Sequence, residues 1–338
     1  MPSESFREKP LQDFFSSMKQ LQNKKLQTSD NFKTDISLAK PFLKWAGGKT
    51  QLLEQFEMLY PIQLKQKKIN KYFELFLGGG AVFFNIIQKY SVEKVFLNDI
   101  NKDLILAYQV IQNNPSDLIE LLANLQTKYH QSDNKEREKI FYKIRNNYNK
   151  QRINFDYDNI SQTSLERVSL LIFINKTCFN GLYRTNRKGE FNVPFGKYKK
   201  PTICDSGNIL KVSELLQQVT FVSGNYSSLD KFIDNQSFVY IDPPYRPINK
   251  TSSFTAYAKS GFNDSNQIEL SQYYKHLSEN CGAKVMLSNS NPHNTNLEDN
   301  FFHDLYSEYN INKVYASRMV NSNAKKRGKI TELVITNY

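Results

Sequence analysis

A chain of 338 residues can bury one large core or two smaller ones, and 39% hydrophobic residues with 13% aromatic residues exclude wholesale disorder. Its formal net charge of +12 suits a polyanionic partner, with nucleic acid the first candidate. Cys178, Cys204 and Cys281 form no CxxC pair and the four histidines are scattered, so no metal site is expected; no apolar run reaches the roughly 18 residues of a membrane span.

Residues 1–38 are polar, rich in Lys, Gln and Ser, and read as an extension ahead of a fold that begins near Pro41. Ala46-Gly47-Gly48-Lys49-Thr50 fails as a phosphate loop, because the required first glycine is Leu43. Tyr72 to Phe76 reads as a strand entering Gly78-Gly79-Gly80. A helix over Ala81–Tyr90 and a strand over Val95–Leu97, ending at Asn98-Asp99, complete a β–α–β unit. Apolar residues three and four apart predict helices over 104–111, 118–129, 135–149 and 165–178. Asn180 to Pro201, full of Asn, Gly, Pro and basic residues, reads as loop and hairpin. Strands return at 220–222, 238–241, 284–287, 312–315 and 332–336, with a helix over 267–280. Strands alternating with helices at both ends predict an α/β fold. Its mostly parallel, Rossmann-like sheet carries helices on both faces, beside a mainly helical lobe over 105–212.

Two ends of this pattern carry chemistry. Glycines directly after a strand let backbone approach a ligand closely, and an acid roughly 20 residues on, here Asp99, is placed to take ribose hydroxyls. An adenosine-containing cofactor is therefore favoured. The buried run Phe238-Val239-Tyr240-Ile241 enters Asp242-Pro243-Pro244-Tyr245, a carboxylate at the carboxyl end of a strand followed by a stiff turn. The Asp242 carboxylate and the Pro243 carbonyl can each accept one N–H of a planar base amine, while the Tyr245 ring stacks on the base. That grip localises the amine lone pair for attack on an electrophilic methyl, without a metal.

Several longer motifs then fall into order: PFLKWAGGKT at 41–50, ELFLGGGAVFF at 74–84, LNDINKDL at 97–104, FNGLYRTNRKGEFNVPFGKY at 179–198, YIDPPY at 240–245 and RGKITELVITNY at 327–338. With them the chain resembles the Dam-type family of adenine-N6 DNA methyltransferases, whose cofactor motifs precede the target-recognition region. The resemblance implies S-adenosylmethionine as methyl donor, bound by Trp45, Lys49, Phe76, Gly78, Gly80, Asp99, Asn225, Tyr226 and Asp242. It implies catalysis by Asp242, Pro243, Pro244 and Tyr245 on a flipped adenine in double-stranded DNA. GATC readout would fall to Lys44, Phe179, Asn180, Leu182, Arg184, Asn186 and Pro194, and Lys197 and Arg327 would support phosphates. Segments 39–104 and 213–338 would form the catalytic domain and 105–212 the target-recognition domain. A segment over 254–262 would cover the target pocket.

Two positions depart from the family pattern: Leu75 stands where proline is usual, and Asn225 stands where an acid often contacts the cofactor adenine. Free thiols fit a reducing cytoplasm, where the enzyme would act alone or paired with a restriction endonuclease. A catalytically silent DNA-binding protein, or methylation of cytosine N4 or of RNA adenine, stays open at this level; Asp242 in place of serine leans toward adenine.

Overall fold

The computed structural model describes residues 38–246, 262–317 and 329–338. After short helices α1 (Leu53–Leu59) and α2 (Ile62–Lys65), β1 (Lys71–Glu74) leads through α3 (Ala81–Lys89) to β2 (Lys94–Asn98). Four helices follow: α4 (Lys102–Asn113), α5 (Pro115–Gln131), α6 (Asn134–Gln151) and α7 (Gln162–Thr177). Past the 179–198 segment come α8 (Ser206–Leu216), β3 (Val219–Val222) and β4 (Ser237–Ile241), then α9 (Asp264–Glu279) and β5 (Lys284–Ser290). Helix α10 (Phe301–Leu305), β6 (Asn310–Ser317) and β7 (Lys329–Thr336) close the chain.

The seven strands form one sheet in the order β3-β2-β1-β4-β5-β7-β6. Pairing is parallel from β3 to β5, and β7 inserts antiparallel between β5 and β6. The expected α/β sheet is present. Every residue of β4 is buried, as a central strand covered on both faces must be. Alternation sorts the side chains: Tyr72, Phe238, Tyr240 and Met286 join the core beneath α1, α3 and the helical segment, whereas Phe73, Val239, Val285 and Leu287 pack with Leu270, Tyr274 and Leu277 of α9.

The chain runs from β1 outward to β2 and β3, then returns to β4 on the other side of β1. Loops leaving the adjacent carboxyl ends of β1 and β4 therefore diverge and leave a crevice between them, with Glu74 in register with Tyr240. The glycine turn opens one side of it and Asp242 the other.

Helix α8 is not expected from the sequence pattern. Its Ile209, Val212 and Leu216 are buried, and Asp205 caps it by accepting from the Asn208 N–H. The positions 104/105 and 212/213 lie inside α4 and α8. A buried Arg167–Asp103 pair joins α4 to α7, with Nε–Oδ1 2.6 Å and Nη2–Oδ2 2.9 Å.

Candidate active site

The glycine turn is shaped by what covers it. Gly78 and Gly80 take φ of +50° and +69°, in the left-handed region. A Cβ on Gly80 would stand 2.6 Å from the Tyr108 hydroxyl, and one on Gly78 would stand 3.0 Å from Trp45 Cδ1. Side chains are thus excluded twice, by backbone conformation and by space. The Trp45 indole lies against the turn and stacks on Tyr183 at 4.8 Å between ring centres. Asp99, at the end of β2, accepts from the Gly78 N–H at 3.0 Å and the Asn101 N–H at 2.9 Å. Burial pushes its carboxyl up, and those two N–H bonds hold part of the rise back.

Turn, Trp45 and Asp99 open onto a cavity of about 500 Å3 that also reaches Lys49, Glu74, Asn225, Tyr226, the Asp242–Tyr245 motif, Phe262 and Glu269. Asp99, Asp242 and Glu269 face a single lysine there, so the lining favours a cationic ligand. Phe76 and Tyr226 meet at 5.6 Å and form an apolar wall. The Asn225 side-chain oxygen accepts from the Ser227 N–H at 3.1 Å, capping the turn that follows.

At the β4 end, Asp242, Pro244 and Tyr245 are each held. Asp242 Oδ1 accepts from the Ser288 hydroxyl at 2.8 Å, and Oδ2 lies 2.8 Å from Lys49 Nζ. Lys49, expected at the cofactor, is only 4% exposed and also donates to the Gly47 carbonyl at 2.6 Å. Its ammonium stands 4.7 Å from the centre of the Tyr245 ring. Gln267 Nε2 donates to the Pro244 carbonyl at 3.1 Å, while among the described residues nothing donates to the Pro243 carbonyl. That oxygen and the carboxylate beside it can receive an amine.

Glu74 is the buried acid behind this motif. The Tyr72 hydroxyl donates to it at 2.8 Å. Burial, aided by the charge of Asp242 and only partly offset by Tyr72 and Lys49, raises its carboxyl from an ordinary 4.5 to about 8. It is therefore mainly neutral at pH 7. The unfolded chain loses this proton near 4.5 while the folded one keeps it, so stability falls as pH rises through that interval and levels off above about 8. Glu74→Gln should flatten that part of a melting-temperature profile; an unchanged slope would show that Glu74 ionises normally.

The 179–198 segment forms a hairpin-like loop, with bridges pairing Cys178 with Phe195 and Thr185 with Phe191. Phe179 and Leu182 are exposed, and Asn180 takes a left-handed φ of +56°. Phe179 N–H donates to the Pro194 carbonyl at 2.9 Å. Asn175 ties this loop to the 41–49 segment: it accepts from Lys44 N–H at 2.9 Å and donates to the carbonyls of Lys44, at 2.9 Å, and Gly181, at 3.2 Å. Lys44, Phe179, Asn180, Leu182 and Pro194 are thereby gathered, and Lys197 is exposed nearby. Arg184 is anchored through Nε to Asn192 Oδ1 at 2.9 Å. Asn186 builds the turn of this loop. Its side-chain oxygen accepts from the N–H groups of Lys188 and Glu190, and its amide donates to the Glu190 carboxylate. Arg327 and residues 254–261 lie outside the described residues.

Sequence reasoning missed Ser288, Gln267 and Glu332, which hold the motif, and Glu269, which lines the cavity. Only Glu332 lies within one of the longer motifs. The fold also gathers Asp230, His276 and Cys281, although their spacing gave no metal pattern. Asp230 Oδ1 and Cys281 Sγ both approach His276 Nε2, at 3.1 and 3.6 Å.

Known proteins match this arrangement along most of its length. The family model described as D12 class N6 adenine-specific DNA methyltransferase matches residues 45–320. The type II methyltransferase M.MjaIII of Methanocaldococcus jannaschii is 49% identical over 300 residues, covering 88% of this chain and 99% of that protein. The type II methyltransferase M1.LlaDCHI of Lactococcus lactis subsp. cremoris is 38% identical, covering 90% and 98%. The DNA adenine methylase of Escherichia coli K12 is 31% identical, covering 87% and 93%. With family motifs on both sides of one crevice and relatives matching nearly end to end, this chain belongs to the D12 class of N6 adenine-specific DNA methyltransferases.

Proposed function

We propose that the protein transfers a methyl group from S-adenosylmethionine to N6 of an adenine flipped out of double-stranded DNA, within GATC. The observation that carries this reading is one cavity bounded by the glycine turn and Asp99 on one side and by Asp242 to Tyr245 on the other. Its glycines admit close backbone approach, its apolar wall of Phe76 and Tyr226 suits an adenine ring, and its acidic lining suits a sulfonium cation. The residues present therefore fit the donor, with Trp45, Lys49, Phe76, Gly78, Gly80, Asp99, Asn225, Tyr226 and Asp242 around it. When bound, S-adenosylmethionine supplies a methyl carbon activated by positive sulfur.

The chain's own groups do the rest. Asp242 accepts one N6–H and the Pro243 carbonyl the other, which drives the nitrogen toward a tetrahedral shape with its lone pair exposed. Pro243 and Pro244 keep the turn stiff, and Tyr245 stacks on the base, offsetting the few kcal/mol of unpairing. Lys49 fixes the carboxylate oxygen that faces it. Segments 39–104 and 213–338 serve as the catalytic domain, and 105–212 serves for target recognition. In that lobe Phe179 wedges beside the displaced base, Asn180 fills the gap, Arg184 reads guanine, and Leu182 and Pro194 meet thymine methyl, while Lys44 of the catalytic domain contacts the first guanine. Asn186 shapes the loop and contacts the DNA from it, while Lys197 and Arg327 support phosphates.

The test is incubation with radiolabelled S-adenosylmethionine and duplexes with or without GATC, followed by nucleoside analysis. N6-methyladenine confined to GATC duplexes is expected. Label at other adenines would overturn the specificity, and an unlabelled product from folded, donor-bound protein would overturn the whole reading. Arg184→Ala should cost roughly 1–3 kcal/mol at one base pair of the site. Equal weakening on every sequence would remove Arg184 from the readout. A cytoplasmic location, with action either alone or beside a restriction endonuclease, completes the proposal. No helix among the described residues is long and apolar enough to cross a membrane.

A further inference from the structure

Tyr245 carries a hydroxyl that stacking on a base does not use. That hydroxyl donates to Glu332 Oε2 at 2.6 Å. The bond lies at the short end of the O–H···O range, and burial raises the Glu332 carboxyl. Glu332 reaches it from β7, the antiparallel strand inserted beside β5, 87 residues along the chain. The ring is therefore held at two places, with the Lys49 ammonium over it at 4.7 Å and a carboxylate at its hydroxyl. Lys49 is itself bound to Asp242.

We propose that Glu332 is a positioning residue for methyl transfer, clamping the Tyr245 hydroxyl so that the ring lies at a fixed tilt beside the Asp242 carboxylate. The inference rests on the reading of Tyr245 as the base-stacking residue. A phenol without this partner can tip or slide in its slot, and small errors of alignment are costly where nitrogen must meet carbon in line. The carboxylate has a second effect. By drawing on the phenolic proton it makes the ring face richer in electrons, which suits an amine gaining positive charge as the N–C bond forms.

Single-turnover methylation of unmethylated bacterial chromosomal DNA, with saturating S-adenosylmethionine, tests this. Tyr245→Phe and Glu332→Ala should each slow the step about tenfold, roughly the loss of one buried hydrogen bond. The double variant should be no slower than either single one, because both remove the same bond. Glu332→Gln, which keeps an acceptor of the same shape without the charge, should recover most of the rate. The KM for S-adenosylmethionine should stay within about twofold throughout, since this bond lies on the base side. Wild-type rates for Glu332→Ala, or effects that multiply in the double variant, would overturn the clamp. If Glu332→Ala does not fold, the same cycle run with Glu332→Met, which keeps the volume without the acceptor, decides: coupling supports the clamp and independence overturns it. Tyr245→Ala separates the two claims, because a wild-type rate there would remove Tyr245 from the stack and leave the clamp without an object. A slow Tyr245→Ala beside a normal Glu332→Ala would discard the clamp alone.

Discussion

Asp242→Asn should lower the methyl-transfer rate by about 10³-fold while leaving DNA affinity within a few-fold of wild type. The carboxylate is engaged on both oxygens, by Ser288 at 2.8 Å and Lys49 at 2.8 Å. Neither donor belongs to a substrate, so both serve to aim the group. An amide in its place offers only one acceptor oxygen and turns an NH2 either to the Ser288 hydroxyl or to the Lys49 ammonium. The second arrangement sets two donors against each other in a dry pocket, where an unmatched donor is expensive. The first leaves an N–H close to the amine it should receive. Either way the proposed grip on the base amine is lost, and the transition state with it. DNA affinity resides largely in phosphate contacts elsewhere, so it should survive. Single-turnover rates and filter binding on one preparation check both halves. A variant that transfers at near wild-type rate would mean that the amine is activated elsewhere.

The two ends of this site are readable from sequence because each rests on local rules. Three glycines after a strand, an acid at the end of the next strand, and two prolines after a buried run are chemistry written over a few residues. Ser288, Gln267 and Glu332 are illegible for the opposite reason. They reach the motif from β5, α9 and β7, and the order β4-β5-β7-β6 is not implied by strand sequence alone. Lys49 shows the same limit within a recognisable motif. Its neighbours point to the cofactor, but only the folded chain sets its ammonium on Asp242. The sheet is legible from alternating strands and helices, whereas α8 escapes because Ser, Gly and Asn at its start weaken the helical pattern. Asn186 reads as a contact residue by its place in the motif, and only the folded chain shows that its side chain also builds the turn.

Arg167→Leu should destabilise the protein by roughly 3–5 kcal/mol, while the Asp103→Leu, Arg167→Leu double variant should recover most of that loss. Arg167 is 1% exposed and Asp103 12%. The guanidinium meets the carboxylate in a two-point fork and donates a third bond to the Tyr148 carbonyl at 3.0 Å. The hydroxyls of Tyr148 and Tyr157 complete the carboxylate, at 2.9 and 3.1 Å. Deleting the arginine alone leaves a carboxylate walled in without its cation, and that penalty exceeds the worth of the bonds themselves. Removing both charges leaves an apolar gap that leucines can largely fill, which is why the two substitutions should offset each other. The consequence extends to the cofactor end. Asp103 stands in the first turn of α4, where Asn101 caps the helix by accepting from the N–H groups of Asp103 and Leu104. Asp99 is bonded to the Asn101 N–H just before it. Releasing Asp103 loosens that turn, so Arg167→Leu should also weaken binding of the proposed donor, S-adenosylmethionine, by several-fold, read by calorimetry below the melting transition. Equal melting temperatures for wild type and Arg167→Leu would show that water reaches the pair. A double variant as unstable as the single one would show that packing around the ring of tyrosines, not charge, holds the two helices together.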